Sequence, residues 1–169
     1  TAPVAPSQML IRAPSATVFE AFVDPAVTSR FWFTRASAPL QAGADVIWYW
    51  DMYGVEGQVH VETLERPHRL RITWPNPVDW RFDDRGDGTT LVTIEASGFT
   101  GDPDARVRYA LDQQQGFALV LAGCKAFLEH GIALAFVHPD LDIGSPVAID
   151  ARGTPLPGEI VTLPFVAKK

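Results

Sequence analysis

The side chains able to do chemistry are few and scattered. Four histidines, His60, His68, His130 and His138, show no HExxH and no paired spacing that would set two on one helix face. His138-Pro139-Asp140 with Asp142 is the one stretch with metal-ligand types close together, and it reads as a solvated polar loop. Asp83, Asp84 and Asp87 lack the ligand spacing and closing glutamate of a calcium loop. The single cysteine, Cys124, falls on an apolar helix face and reads as a small buried hydrophobe rather than a nucleophile. There is no GxSxG, no P-loop and no dinucleotide fingerprint. Neither a metal nor another cofactor is expected. General acid or base work falls to Asp51, Glu56, His60 or Glu95, and strand parity turns Asp51 and Glu95 outward.

The aromatic residues are denser than the titratable ones. The chain has five tryptophans. Trp48, Trp50, Trp74 and Trp80 fall in or beside β-prone runs, and Trp32 sits in the cluster Phe31-Trp32-Phe33. Two readings stay open. The indoles fill a core, or they line an apolar pocket with a few N–H donors on its wall. In the second case Trp32, Trp48, Trp50, Met52, Trp74, Trp80 and Phe82 face Gln114, Phe117, Leu121 and Cys124 of one helix across a cavity. These eleven are the candidate ligand-binding residues.

The element that must position them is the stretch 102–131. Asp102 suits an N-cap, Pro103 the first helical position and Gly131 a C′ stop, with His130 in the last turn. Ala110, Gln114, Phe117, Leu121, Cys124 and Leu128 recur at spacings of three and four and share one face, widened by Val120 and Phe127. Gly116 and Gly123 lie seven apart on one stripe. They mark close packing against a neighbour, or space left for a ligand. Gln114 needs hydrogen-bond partners if it is buried.

The rest of the chain reads as a sheet for that helix. Residues 1–7 form a flexible arm, and Gln8–Arg12 a short strand. Pro14 opens a helix that stops at Asp24-Pro25, and Val27–Phe33 makes a second short one. Strands follow at Asp45–Tyr53, with Val46, Trp48, Trp50 and Met52 on one face, then Val55–Leu64, Leu70–Trp74, Val78–Phe82 and Thr89–Ser97. Asp83–Gly88 is the hairpin turn before the last. Past Gly131, Ile132–Val137 is apolar. Prolines then punctuate a tail, 139–169, whose segments Val147–Asp150 and Glu159–Val166 form edge strands or an arm onto a second copy. This order makes an α+β domain of residues 8–138: a bent antiparallel sheet closed by one long helix.

Composition narrows the function. The 169 residues suit one core. Net charge is −6, against a nucleic-acid or anionic-membrane surface. One cysteine excludes an internal disulfide and fits a reducing cytoplasm. No run reaches the length of a membrane span. The opening TAPVAPSQ does not read as a signal peptide.

IRAPSATVFEAFVDPAVTSRFW resembles the opening of the START-like superfamily, also called SRPBCC. GADVIWYWDMYG, VDWRFDDRGDGTTLVTIEASGF and QGFALVLAGCKAFLEHGI resemble its bacterial branch related to the activator of heat-shock-protein ATPase. Gly116-Phe117 stands where Gly-Trp is commoner, and Ala96 where many relatives carry histidine. The resemblance implies a helix-grip fold with an apolar cavity for lipids, sterols, polyketides or similar molecules, and no shared catalytic residues. The first expectation is therefore binding of a small apolar or aromatic molecule. The alternatives are a cyclase- or hydrolase-type enzyme using the same cavity, and a co-chaperone-like interaction module. A homodimer through the tail is compatible with each.

Overall fold

The structure is a computed structural model, and it describes residues 2–131, 140–151 and 154–161. Two compact units divide the chain, Thr1–Leu134 and Ala135–Lys169.

In the first unit, β1 (Ala5–Ile11) leads into α1 (Ser15–Val23) and α2 (Pro25–Thr28). Then come β2 (Arg35–Ala36), β3 (Asp45–Trp50), β4 (Val55–Glu65), β5 (Arg69–Trp74), β6 (Asn76–Asp84), β7 (Thr90–Ala96) and α3 (Pro103–His130). The strands form one antiparallel sheet in the order β1-β7-β6-β5-β4-β3-β2. The meander is sequential from β2 to β7, and β1 closes it by pairing with β7, Ala5 opposite Ala96. A register shift between Val61 and Thr63 in β4 supplies one bend. This is the helix-grip α+β architecture.

The predicted helix 102–131 forms with its caps. The Asp102 side chain accepts from the Ala105 N–H at 2.8 Å. Gly131 takes φ of 65° and its N–H donates to the Phe127 carbonyl. Strand alternation also holds: Val46 and Trp48, Val59 and Val61, Leu70 and Ile72, Val78, Trp80 and Phe82, and Val92, Ile94 and Ala96 are all buried. They meet Phe117, Val120, Leu121 and Cys124 of α3. Burying a phenylalanine or leucine side chain contributes about 1.5–3 kcal/mol, so this face holds α3 in place.

Four expectations are corrected. The first strand begins at Ala5, not Gln8, because residues 5–11 find a full ladder on β7. The second helix is one turn, Pro25–Thr28, and the aromatic cluster follows it in a turn. Trp50, not Tyr53, ends β3. Asp51–Tyr53 is a single 3₁₀ turn closed by Gly54 at φ 61°, so the strand parity is lost there. The strand expected at Val78–Phe82 begins at Asn76, so Pro77 lies inside β6 with Thr73 opposite it.

In the second unit, β8 (Pro146–Ala151) pairs antiparallel with β9 (Thr154–Glu159), Pro146 opposite Glu159. The partner strand is thus Thr154–Glu159 rather than Glu159–Val166. The apolar stretch Ile132–Val137 lies outside the described residues, as do His138, Pro139 and residues 162–169.

Candidate functional site

Between α3 and the sheet the aromatic residues form one continuous cluster. Trp48 stacks on Phe33, centroids 5.1 Å apart and planes at 24°. Trp50 stacks on Trp74 at 5.4 Å and 16°. Trp80 stands edge-on to Phe117 at 5.5 Å. Most of the space under the helix is filled by these rings. Beside them lies a cavity of about 110 Å³, lined by Trp32, Trp74, Asp112, Gln113, Gly116, Phe117 and Val120. Asp112 and Gly116 are exposed, so the cavity opens to solvent along that turn of α3. Drug-sized ligands need about 300–1,000 Å³. A dry cavity of about 150 Å³ accepts benzene. The space here is that of one ring or one compact head group.

The tryptophans divide between the cavity wall and the core. Trp32, Trp74 and Phe117 line the cavity. Trp50 backs Trp74 from behind. Trp48, Trp80, Phe82, Leu121 and Cys124 are at most 1% exposed and lie in the core, not on the cavity wall. The Trp80 N–H is buried with no hydrogen-bond partner among the described residues, at a typical cost of about 1–3 kcal/mol.

Two expected wall residues lie elsewhere. Met52 is 70% exposed, because the 3₁₀ turn carries it off the inner face. Gln114 is exposed and turned towards β1. Its Nε2 donates to the Pro6 carbonyl at 2.9 Å, and its own carbonyl accepts from Ser7 Oγ at 3.0 Å. Its partners are backbone and a serine, and it ties α3 to β1.

The two helix glycines separate. A Cβ on Gly123 would sit 2.9 Å from the Phe31 carbonyl oxygen, so close packing requires glycine there. A Cβ on Gly116 would meet nothing within 4 Å, and Gly116 is at the cavity mouth. Sequence reasoning did not place Asp112, Gln113 or Val120 among the ligand-binding candidates, and read Val120 only as widening the apolar helix face. The only signal for that turn was Gly116 itself. It also passed over Gly57, where a Cβ would run into Trp74 Nε1. Gly57 is opposite Trp48 in the ladder and leaves room for the Trp74 indole.

The acid–base candidates do not line the cavity. Asp51 pairs with Arg35 at 3.1 Å, Glu95 with Arg81 at 3.3 Å, and Glu56 is exposed. His60 Nδ1 lies 2.8 Å from Asp45 Oδ1. That pair borders a groove of about 620 Å³ whose lining includes Ser37, Ile47, Gln58 and Thr73. By strand parity these residues belong to the sheet face opposite the tryptophans. Burial pushes the Cys124 thiol up to about 12, so it is a neutral packing group at ordinary pH. Among the described residues no group of three or more His, Cys, Asp or Glu side chains is placed to hold a metal ion, and no helix is long and apolar enough to cross a membrane.

Comparison with solved structures places this geometry among known ones. The protein SSP2350 of Staphylococcus saprophyticus is similar at 28% identity and a TM-score of 0.70, over 79% of this chain and 96% of its own. The Aha1 dimer of Colwellia psychrerythraea has a TM-score of 0.66 at 14% identity, over 76% and 98%. DynU16, a protein of the dynemicin biosynthetic locus, has a TM-score of 0.67 at 21% identity over 76% of this chain. The match spans 48% of DynU16. No curated protein matches the sequence. The family described as Activator of Hsp90 ATPase homolog 1-like protein matches residues 12–129, most of the first unit and all the elements from α1 to the last turn of α3. The chain is a member of that family.

Proposed function

We propose that this protein binds a small apolar or aromatic molecule, or the ring-sized end of a larger one, in the cavity between α3 and the sheet. One observation carries the reading. Three aromatic rings, Trp32, Trp74 and Phe117, surround a space that the core does not fill, and a glycine, Gly116, keeps its mouth open. A helix-interior glycine costs about 1 kcal/mol relative to alanine. Packing explains that cost at Gly123, and an open mouth explains it at Gly116.

The test is titration of the full chain with single-ring aromatic compounds, followed by tryptophan fluorescence, beside native mass spectrometry of protein purified from its own host. Saturable quenching that Gly116→Leu abolishes supports the reading. Absence of quenching and of any bound mass refutes it. The cyclase- or hydrolase-type alternative rests on Asp112, the one carboxylate on the cavity wall among the described residues. Turnover of a bound ligand that is lost in Asp112→Asn would favour it.

A homodimer through the tail is a separate proposal. It is supported by β8 and β9, which pair only with each other among the described residues and leave two outer strand edges. A monomer mass by light scattering of the full chain rejects it.

A further inference from the structure

The cavity wall carries more than an uncharged apolar ligand would use. The Asp112 carboxylate makes no hydrogen bond or ion pair with any described residue, including Arg108 one turn earlier on the same helix face. A free carboxylate beside three aromatic rings is a cation-attracting combination. The rings have a specific relation to one another. Trp32 and Trp74 are 5.8 Å apart with planes at 75°, Trp32 and Phe117 6.1 Å apart at 72°, and Trp74 and Phe117 6.4 Å apart at 71°. Three mutually perpendicular rings facing a common point have centroids about 6.4 Å apart when that point lies about 4.5 Å from each ring, and 4.5 Å is inside the range of about 6 Å over which a ring face attracts a cation. The separations and angles of these three rings fit such a corner.

We infer that the ligand end taken by this cavity is a methylated ammonium group, held against Trp32, Trp74 and Phe117 with Asp112 as its counter-charge at the rim. The inference rests on the ligand-binding reading above and names its ligand class. The degree of methylation follows from the wall. A primary ammonium or a guanidinium brings three or more N–H donors that must be satisfied, and burying them unpaired is costly. The polar side chains on this cavity are Asp112 and Gln113, neighbours on one turn of α3. The other walls are rings and Val120. A trimethylammonium presents only C–H groups to those walls and keeps its charge. Its compact size also suits a space of about 110 Å³ better than an acyl chain does.

The experiment uses the full chain and two probes of nearly equal shape: choline, and 3,3-dimethylbutan-1-ol, in which carbon replaces the charged nitrogen. Each is titrated by tryptophan fluorescence into the wild type, Asp112→Asn and Gly116→Leu. The expected result is choline binding about tenfold or more tighter than the alcohol. Asp112→Asn should then weaken choline several-fold, leave the alcohol unchanged and keep the wild-type melting temperature. Alcohol binding as tight as choline overturns the cationic assignment while the apolar-cavity reading stands. Choline binding indifferent to Asp112→Asn overturns the role of the carboxylate. Binding of either probe that survives Gly116→Leu, or no binding by either up to the solubility limit, overturns this inference, and the single-ring aromatic titration decides the cavity reading separately.

Discussion

Gly116→Ala and Gly123→Ala, seven residues apart on one helix, are expected to move stability in opposite directions. Both positions are interior to α3. Replacing an interior glycine by alanine gains about 1 kcal/mol from the backbone alone. At Gly116 the new Cβ meets nothing within 4 Å, so the whole gain is realised. For a chain of this size it corresponds to a rise of about 2–4 °C in melting temperature. At Gly123 the Cβ would lie 2.9 Å from the Phe31 carbonyl oxygen and 3.3 Å from the Phe31 Cβ. Those are backbone and near-backbone atoms of a turn, and they cannot swing aside. Overpacking of this kind costs about 1–3 kcal/mol, which cancels the propensity gain and leaves a net loss of up to about 2 kcal/mol. Urea and thermal denaturation of the two single variants measure the difference, with the urea slope checked for constancy. A destabilised Gly116→Ala would show that the space beside Gly116 is not open, and the proposed site would lose its entrance. A Gly123→Ala as stable as Gly116→Ala would show that α3 is not seated on the Phe31 turn.

Gly57→Ala should cost about 1–3 kcal/mol and also weaken ligand binding, because its Cβ would strike Trp74 Nε1 and rotate a wall of the cavity; denaturation and fluorescence titration report the two effects. Glu129 receives the Arg12 backbone N–H at 2.8 Å and pairs with Lys125, with its side chain 3% exposed. Burial opposes its charge, but the Lys125 and Arg12 bonds prevail and hold the carboxyl below its usual value of 4.5. Its contribution is therefore complete above pH 4.5 and lost as pH falls through the lower folded value. Glu129→Gln should cost about 1–3 kcal/mol at pH 7 and flatten the acid limb of a stability–pH curve. Cys124, with its thiol raised to about 12 by burial, should resist iodoacetamide at pH 8 in the folded protein and react after unfolding. Above pH 9 the unfolded chain loses this proton first. Stability should then fall with rising pH towards 12 by up to about 1.4 kcal/mol per unit, and Cys124→Ala should remove that component of the slope.

The parts of this protein legible in its sequence are those set by neighbours along the chain. Asp102, Pro103 and Gly131 bound α3 through local backbone hydrogen bonds, so cap residues at the right offsets sufficed. The alternation in 46–48, 59–61, 78–82 and 92–96 puts one face of each of those four strands in the core, because side chains in a strand must alternate. Periodicity likewise placed Phe117, Leu121 and Cys124 in the core. It failed at Met52, where a 3₁₀ turn ended the alternation, and at Gln114, where β1 offered the amide backbone partners at the edge of the helix face. The site itself was decided by the tertiary structure. Parity names the face on which a tryptophan lies but not the volume left once five indoles have packed there. That volume depends on the mutual angles of Trp32, Trp74 and Phe117, on the room Gly57 leaves for one indole, and on which helix turn stands over the gap. Asp112 and Gln113 became wall residues only because α3 crosses the sheet at that turn, a relation between elements distant in the chain that no spacing along it encodes.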